Sequence, residues 1–524
     1  MAKGKGGRKR SAPPEMSARE FPFRVGCVDT GSNAIRFLAA EFTAPGEFET
    51  LAYERVPVRL GHQVFLTGQL AESAMEGAVQ AFVSFKEKID ALGLATFRAV
   101  ATSAVREAKN GFELVGRILE ESSIHLEMIS GSEEARLVHL AVASRVKLTG
   151  GQWILTDLGG GSVEISLVDD VGMLWSESHT MGSVRLLERL TQAEPEPKGF
   201  RALLSDYVST LRIPAPAQYW SPSGFVATGG NIEALANLSA AKTDAKGVAT
   251  LPLADLGAAI DLLSRLSYPE RVTELGLRED RADVILPAAM VYFHLATMAG
   301  VDSVLVPGVG VKEGLLLDLA DDLVSHSSHE LRQEQQLAKA AISLGRRFMF
   351  DEAHGLQVAR LALSLFEQLQ DLHGMEDGNR PLLLAAAILH DIGGFISKKG
   401  HHKHSFYLIS RSELPGLSPT DMLMVANIAR YHRKNIPRAT HPEFMRLSEA
   451  NRDRATRLAA ILRIADALDR THVQSVEGVE AKAGPEQVRL KLECNGDCLL
   501  ERWALSQKKG LFEKVFARAV AAAS

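Results

Sequence analysis

Two stretches of the chain alternate apolar and polar residues with a period of two, and both share one layout. Arg24 to Val28 is an apolar run ending at Asp29; Thr30-Gly31-Ser32-Asn33 then turns, and Ala34 to Phe42 continues with Ile35 and Phe37 alternating against Arg36. Further on, Trp153 to Leu155 leads to Asp157, Gly159-Gly160-Gly161-Ser162 turns, and Val163, Ile165 and Leu167 then share one face. Such alternation predicts half-buried strands, so each stretch reads as strand, Asp-x-Gly turn, strand. Three successive glycines lack Cβ atoms, so the backbone can take positive φ and bring its N–H groups against phosphate oxygens. The aspartate at the strand end offers a hard oxygen suited to Mg²⁺. A P-loop would end in Gly-Lys-Ser/Thr and open a helix, and neither is found. One such turn is an ordinary tight hairpin; two, each opening a lobe, suggest facing loops that grip one chain of phosphates.

Between and beyond these hairpins the period changes to that of helices. Leu70, Ala74, Ala78, Phe82, Phe85 and Ile89 predict a helix over Leu70 to Leu92 packed on a sheet. Phe97 to Ala101 reads as a buried strand running into the hydroxyl-rich turn Thr102-Ser103, where free N–H groups and Arg106 would face an anion or simply cap a helix. Leu126 to Ile129 is a strand followed by Ser130-Gly131-Ser132-Glu133-Glu134, with Ser132 as N-cap and the two acids either stabilising the first turn or supplying a general base. Phe225 to Thr228 enters another glycine turn at Gly229-Gly230 before a helix, Arg281 to Met298 reads as one long helix, and Val301 to Val306 as a strand before a turn and helix over Gly308 to Leu319. Loose connections are expected at Glu194 to Gly199 and Ile213 to Gly224, and a domain boundary in the charged stretch Asp321 to Gln336.

From Leu337 to His472 the pattern is helical throughout. His354, His390-Asp391 and Asp466 come from three predicted helices and form a nitrogen-and-oxygen ligand set suited to a divalent transition metal such as Mn, Zn or Fe. His401, His402, His404 and His432 are further candidates for a second ion or a substrate contact. After His472 the tail reads as short strands, Val479 to Ala483, Gln487 to Cys494 and Leu499 to Leu505, with a last helix from Gly510.

Composition narrows the function classes. The 524 residues are 46% hydrophobic and 23% charged, which fits a globular protein with a large core and a length prior of roughly three or four domains. A net charge of −5 argues against bulk nucleic-acid binding while leaving room for a local basic pocket. Three cysteines make no disulfide framework, and Cys494 with Cys498 lacks the second pair that a zinc site needs, so a reducing, cytoplasmic setting is expected. Lys3, Lys5, Arg8, Lys9 and Arg10 mark a disordered basic tail over residues 1–20 with no apolar signal segment, and no apolar run of membrane-spanning length is seen.

Four segments in order, DTGSNAIRF from Asp29, ATSAVREAKNG from Ala101, SGSEEAR from Ser130 and DLGGGSVEI from Asp157, resemble the successive motifs of the exopolyphosphatase / guanosine pentaphosphate phosphohydrolase (Ppx/GppA) family. The resemblance covers roughly residues 24–320, and residues 337–475 resemble the HD-type domain attached in the family's long members. It implies an α/β actin-like fold with two ribonuclease-H-type lobes (21–148 and 149–322, the last helix returning to the first lobe), then an all-α HD-type domain (330–474) and a small α/β C-terminal domain (475–524). Within the cleft it implies Glu134 as general base, Asp157 and Glu164 on the Mg²⁺ side, and Ser32, Asn33, Arg36, Arg106 and the amides of Gly159, Gly160, Gly161 and Ser162 around the phosphates. Gly229 and Gly230 fall at the nucleoside-side turn. Long members often lack a complete His-Asp pair in the helical domain, whereas this chain carries all of His354, His390, Asp391 and Asp466.

The activity implied is Mg²⁺-dependent release of orthophosphate from inorganic polyphosphate, by a cytoplasmic homodimer without nucleic-acid or membrane partners. The alternative is hydrolysis of guanosine pentaphosphate at the same site. An acceptor-dependent kinase, and a polyphosphate or alarmone sensor that reads its ligand through the HD domain, are the other classes.

Overall fold

The computed structural model describes residues 19–523, apart from 170–171, 194–196, 213–221, 325 and 434. The basic tail up to residue 18 and most of the two loose connections expected around 194 and 213 lie outside the described residues.

The first hairpin forms as its alternation predicts. Strands β1 (Phe23–Thr30), β2 (Ile35–Ala44) and β3 (Glu47–Val56) make an antiparallel trio, to which β4 (Thr96–Ala101) and β5 (Leu126–Met128) add in parallel, in the order β3-β2-β1-β4-β5. The second lobe repeats the scheme. Strands β6 (Trp153–Leu158), β7 (Val163–Val168) and β8 (Met173–His179) form the trio, and β9 (Gly224–Thr228) runs parallel to β6. Strands β10 (Lys242–Thr243), β11 (Ala249–Pro252) and β12 (Ser303–Val306) complete a sheet ordered β10-β11-β12-β9-β6-β7-β8. Its portion β8-β7-β6-β9-β12 matches the first sheet strand for strand, the internal duplication of an actin-like pair of lobes. At corresponding positions Asp29 pairs in register with Arg36, and Asp157 with Glu164.

Helices cover both sheets. Glu72–Leu92 buries Ala78, Phe82, Phe85 and Ile89 of the stripe read from the sequence, together with Met75 and Val79, while Ala74 is half-buried and Leu70 precedes the helix. The helix Val311–Val324 crosses to the first lobe and packs on Gly131–Arg145, so both lobes share one apolar cluster that includes Val25, Leu137, Val226 and Leu315. The long helix expected over Arg281 to Met298 is instead two, Glu279–Ala282 and Ile285–Ala299. The break falls at Asp283, whose carboxylate pairs with Arg59 of the first lobe at 2.9 Å, while the Val284 N–H donates to the Arg281 carbonyl.

The stretch Asp321 to Gln336 is helical on either side of residue 325, within Val311–Val324 and His326–Arg347. Beyond it, Glu352–Gln368, Arg380–Leu389, His401–Ser410, Pro419–Arg430 and Glu449–Ala467 surround a single core that also takes in the C-terminal sheet of β13 (Val476–Ala483), β14 (Gln487–Cys494) and β15 (Ala519–Ala523). The expected strand at Leu499 to Leu505 is a helix, Leu499–Lys508, since the buried positions Glu501, Ala504 and Leu505 recur at helical spacing. Cys494 and Cys498, expected to be reduced, are paired as a disulfide. No helix among the described residues is long and apolar enough to cross a membrane.

A Cβ on Gly314 would collide with the Leu137 carbonyl where the crossing helix meets its partner, whereas one on Gly116 would meet nothing. Gly314→Ala is therefore expected to destabilise the chain by about 1–3 kcal/mol, and Gly116→Ala to stabilise it by about 0.5–1 kcal/mol through helix propensity. Urea midpoints should move in opposite directions at unchanged slope; movement in the same direction would contradict the packing described.

Candidate active site

The two Asp-x-Gly turns face each other across a cleft of about 250 Å³ between the lobes. Asp29, Gly31, Ser32, Asn33 and Arg36 line one side, and Asp157, Gly159, Gly160, Gly229 and Gly230 the other, with Glu134 between them. The 15-residue helix that carries Glu134 begins directly after β5. Its N-cap is Ser130, which accepts the Glu133 N–H at 3.2 Å, rather than Ser132, whose hydroxyl instead pairs with that of Ser130 at 2.9 Å.

That register sends the two adjacent glutamates to opposite fates. Glu133 receives both arms of Arg136 at 2.8 and 2.9 Å, and Arg136 also grips Asp318 at 2.9 and 3.1 Å. Burial works against ionisation of Glu133, but the Arg136 guanidinium outweighs it and holds the carboxyl below its usual value. Glu134 points into the cleft, where Oε2 has no hydrogen-bond partner and the nearest guanidinium, Arg106, stands 3.8 Å away. One ligand oxygen from each of Glu134, Asp157 and Glu164 lies within 4.8 Å of the others. Asp157 accepts from Thr228 at 2.6 Å and Glu164 from Ser178 at 2.9 Å, while Glu164 Oε2 is without a partner. Burial and the Glu164 charge push Glu134 well above the usual carboxylate value; burial and the Asp157 charge push Glu164 up to about 7; burial also raises Asp157, against the Thr228 hydrogen bond.

The triple-glycine turn serves space rather than handedness, contrary to the sequence expectation: none of Gly159, Gly160 and Gly161 has positive φ. A Cβ on Gly160 would come within 2.8 Å of Ser32 Cβ, and one on Gly161 within 2.6 Å of Ser103 Oγ, so the missing side chains let the two lobes' turns touch. The turn is pinned from behind. The carbonyls of Gly159, Gly160 and Gly161 accept backbone N–H groups from the segment Gly182 to Arg185, and Arg185 Nε also donates to Gly161 O at 2.7 Å. The Gly159 N–H closes the turn on Ser162 O, which leaves those of Gly160 and Gly161 for an anion.

Other expected phosphate contacts are already engaged. Asn33 donates to the Asp280 carbonyl and carboxylate at 2.8 and 3.2 Å, Arg36 to Asp29 at 3.0 Å, and Arg106 to Ile129 O at 2.6 Å. Arg55 also pairs with Asp280 and Arg59 with Asp283, so Asn33, Arg55 and Arg59 clasp the second lobe at the rim. Ser162 is buried behind the turn; Ser32 lines the cleft and pairs with Ser103 at 3.1 Å. Sequence reasoning missed the cations Arg55, Arg278, Arg281 and Lys312, which also line the cleft. They stand singly in unrelated segments, and only the fold gathers them. Burial and the neighbouring Arg278 lower Arg281, as expected for crowded cations awaiting an anion.

The helical region does bring His354, His390, Asp391 and Asp466 together. His354 Nε2 lies 3.2 Å from His390 Nε2 and 3.8 Å from Asp466 Oδ1, and His390 Nε2 lies 3.8 Å from Asp391 Oδ1. His401 and His432 join the same cluster through Asp391; His402 and His404 are in no convergent group of ligands among the described residues. The region also reaches the first site. Glu413 accepts the Ser132 N–H at 3.1 Å, and the Gly416 N–H donates to Glu133 at 3.0 Å, both at the start of the helix bearing Glu134.

Two lobes duplicated about a cleft of buried acids and gathered cations define the actin-like class of fold. The Ppx/GppA phosphatase family matches residues 41–323, and domain III of the same family matches residues 338–509. The chain belongs to the Ppx/GppA phosphatase family, whose members are phosphoanhydride hydrolases. It is 27% identical over 454 residues, 86% of this chain and 88% of the other, to a guanosine-5'-triphosphate,3'-diphosphate pyrophosphatase of Vibrio vulnificus. Among solved structures it is similar to an exopolyphosphatase from Cytophaga hutchinsonii, with TM-score 0.54 and 27% identity, covering 58% of this chain and all of that one. It is also similar to the Aquifex aeolicus family member, with TM-score 0.48 and 26% identity, covering 57% of this chain and 97% of that one.

Because Glu133 and Asp318 are both held below their usual values, against burial, by Arg136, they add stability that is full above the ordinary carboxylate range and lost as pH falls through their depressed values. Glu133→Gln is expected to cost about 3–5 kcal/mol at neutral pH, as for one partner of a buried ion pair, and to flatten the acid limb of the stability curve. Chemical denaturation between pH 7 and pH 3 measures both; an unchanged acid limb would contradict the assignment.

Proposed function

We propose that this chain is an exopolyphosphatase that hydrolyses the terminal phosphoanhydride bond of inorganic polyphosphate, with Glu134 as general base. The observation that carries the reading is the buried Glu134 carboxylate, its Oε2 without a hydrogen-bond partner, beside Asp157 and Glu164 in a cleft where Arg278, Arg281 and Lys312 join Arg36 and Arg55, the last two already paired with Asp29 and Asp280. Acids cannot cradle polyphosphate themselves, so here they serve to hold a cation and to meet the proton of water. The unpartnered Glu164 Oε2 and the all-oxygen donor set fit Mg²⁺. Asp157 and Glu164 would hold it, and its chemistry is to offset charge on the phosphoryl oxygens.

The chain's own groups account for the remaining chemistry. The Gly160 and Gly161 N–H groups and the Ser32 hydroxyl donate to the terminal phosphate, with the cleft cations spread around the phosphates behind it. Glu134 orients a water in line with the bridging oxygen. As the water oxygen bonds to phosphorus and the bridging bond breaks, the shortened chain leaves and the water proton passes to Glu134. The same reading carries a homodimer, which rests on the family resemblance alone, and a cytoplasmic setting, which rests on the low cysteine count and is not supported by the Cys494–Cys498 disulfide. In the helical region, His354, His390, Asp391 and Asp466 would hold a divalent transition ion, as in an HD-type domain.

Hydrolysis of guanosine pentaphosphate at this site is the second reading, favoured by the name of the Vibrio relative, which aligns over nearly the whole chain. Against it, Tyr53 is the one aromatic side chain in the described cleft lining, little for a purine to stack on.

Orthophosphate release from long-chain polyphosphate and from guanosine pentaphosphate, with Mg²⁺ and no acceptor, decides between them. Polyphosphate is expected to be the better substrate, and Glu134→Gln to lower kcat by about 10²–10⁴-fold. Release from the nucleotide alone would promote the second reading, and release at full rate in Glu134→Gln would remove Glu134 as base.

A further inference from the structure

The residue that pins the triple-glycine turn from behind is itself pinned by the opposite lobe. Arg185 lies in the first turn of the helix Ser183–Ala193 and is 4% exposed. Its backbone N–H donates to Gly160 O at 3.0 Å, and its side-chain Nε donates to Gly161 O at 2.7 Å. One residue thus holds two successive peptide planes, Gly160–Gly161 and Gly161–Ser162. A trans peptide unit is planar, with its N–H directed opposite to its C=O. Drawing both carbonyls towards position 185 therefore turns the Gly161 and Ser162 N–H groups the other way, and the Gly161 N–H is one of the two that the turn leaves for an anion.

The glycines make such a hold necessary. Three successive residues without Cβ set few steric barriers against a peptide flip, and a flipped unit would offer an anion a carbonyl oxygen in place of a donor. The Gly160 carbonyl is held by two backbone N–H groups, from Val184 at 2.9 Å and from Arg185. The Gly161 carbonyl has the Gly182 N–H at 3.2 Å and the guanidinium at 2.7 Å, so the shorter, charge-assisted bond is the one from the arginine side chain.

The guanidinium takes its own place from the first lobe. Its Nη2 donates to both oxygens of Glu107 at 2.7 Å, and the Phe65 ring centroid lies 4.0 Å from it. The edge of the same ring stands where a Cβ on Gly161 would fall. Glu107 ends the short helix Ser103–Glu107, whose first residue pairs with Ser32 in the cleft and whose Arg106 stands 3.8 Å from Glu134. The helix Ser183–Ala193 has a separate tie to the first lobe, since Glu188 accepts the Gln63 N–H at 2.7 Å. Docking of the helix and orientation of the turn thus rest on different contacts.

Resting on the reading of the cleft as the phosphoanhydride site, we propose that Arg185 is a positioning residue for phosphate binding. It locks the Gly161 peptide in the donor orientation, and it does so only while Glu107 and Phe65 of the other lobe hold its guanidinium.

The test uses the full chain with Mg²⁺ and non-hydrolysable imido-triphosphate, whose affinity is measured by isothermal titration, beside orthophosphate release from polyphosphate and urea midpoints. Arg185→Met is expected to weaken imido-triphosphate binding and to lower kcat/KM for polyphosphate, each by about 10–100-fold, less than the loss of a donor that touches the oxyanion itself. Reversing the pair, Arg185→Glu with Glu107→Arg, should return the urea midpoint towards wild type but not the affinity, because a carboxylate at position 185 has no proton for Gly161 O. Affinity that recovers together with the ion pair would overturn the proposal, as would wild-type affinity in Arg185→Met. If Arg185→Met does not fold, Glu107→Ala carries the test, its side chain being 36% exposed: a loss of affinity of about threefold or more is expected, and an unchanged affinity would overturn the proposal. A wild type that binds imido-triphosphate with this dependence on Arg185 yet releases no orthophosphate would remove the proposed activity and leave the role of Arg185 standing; release at wild-type kcat/KM in Arg185→Met would do the reverse.

Discussion

Three carboxylates are kept out of water within 4.8 Å of one another, and the architecture around the cleft serves to keep them there. Leaving a buried carboxylate without a partner costs several kcal/mol, so such a group persists only where the surrounding fold overdetermines its position. β7 is buried along its whole length, which fixes Glu164 in place; Thr228 at the end of β9 and Ser178 on β8 steady Asp157 and Glu164 with one hydrogen bond each. Glu134 is set by the capped helix start and by its neighbour Glu133, anchored to Arg136 and Asp318. The adjacent glutamates divide the work: one carries the stability of the ion-pair network, the other is left exposed to chemistry.

The same constraint explains why the lobes close as they do. Glycines at 160 and 161 allow the second turn to touch Ser32 and Ser103, and the clasp of Asn33, Arg55 and Arg59 on Asp280 and Asp283 holds the far rim. The helical region adds a third hold. Glu413 and Gly416 reach the first turn of the Glu134 helix, where a carboxylate also meets the positive end of the helix dipole. The cleft and the helical region are thereby in contact next to the base.

What the sequence revealed depended on whether the determining contact was local. Both Asp-x-Gly hairpins and the helix over Glu72–Leu92 were readable because period and turn chemistry act over a few residues; the convergence of His354, His390, Asp391 and Asp466 is not local and was readable only from the ordered set of ligand types on successive helices. The choice of N-cap between Ser130 and Ser132 was not, since both serines suit the role and the end of β5 decides. Nor was the break at Asp283, which depends on Arg59 more than two hundred residues earlier. The helix Leu499–Lys508 reads as a strand in sequence because its apolar run is short and its burial pattern emerges only once the core is assembled. Arg278, Arg281 and Lys312 carry no motif at all.

The most direct measurement of the central claim is a crystal structure of Glu134→Gln with Mg²⁺ and a non-hydrolysable imido-triphosphate. The account predicts the terminal phosphate within hydrogen-bonding distance of Ser32 and the Gly160 amide, the metal on Asp157 and Glu164, and a water between the substituted side chain at position 134 and the terminal phosphorus. An anion seated elsewhere, with the cleft between the two turns free of it, would contradict the account.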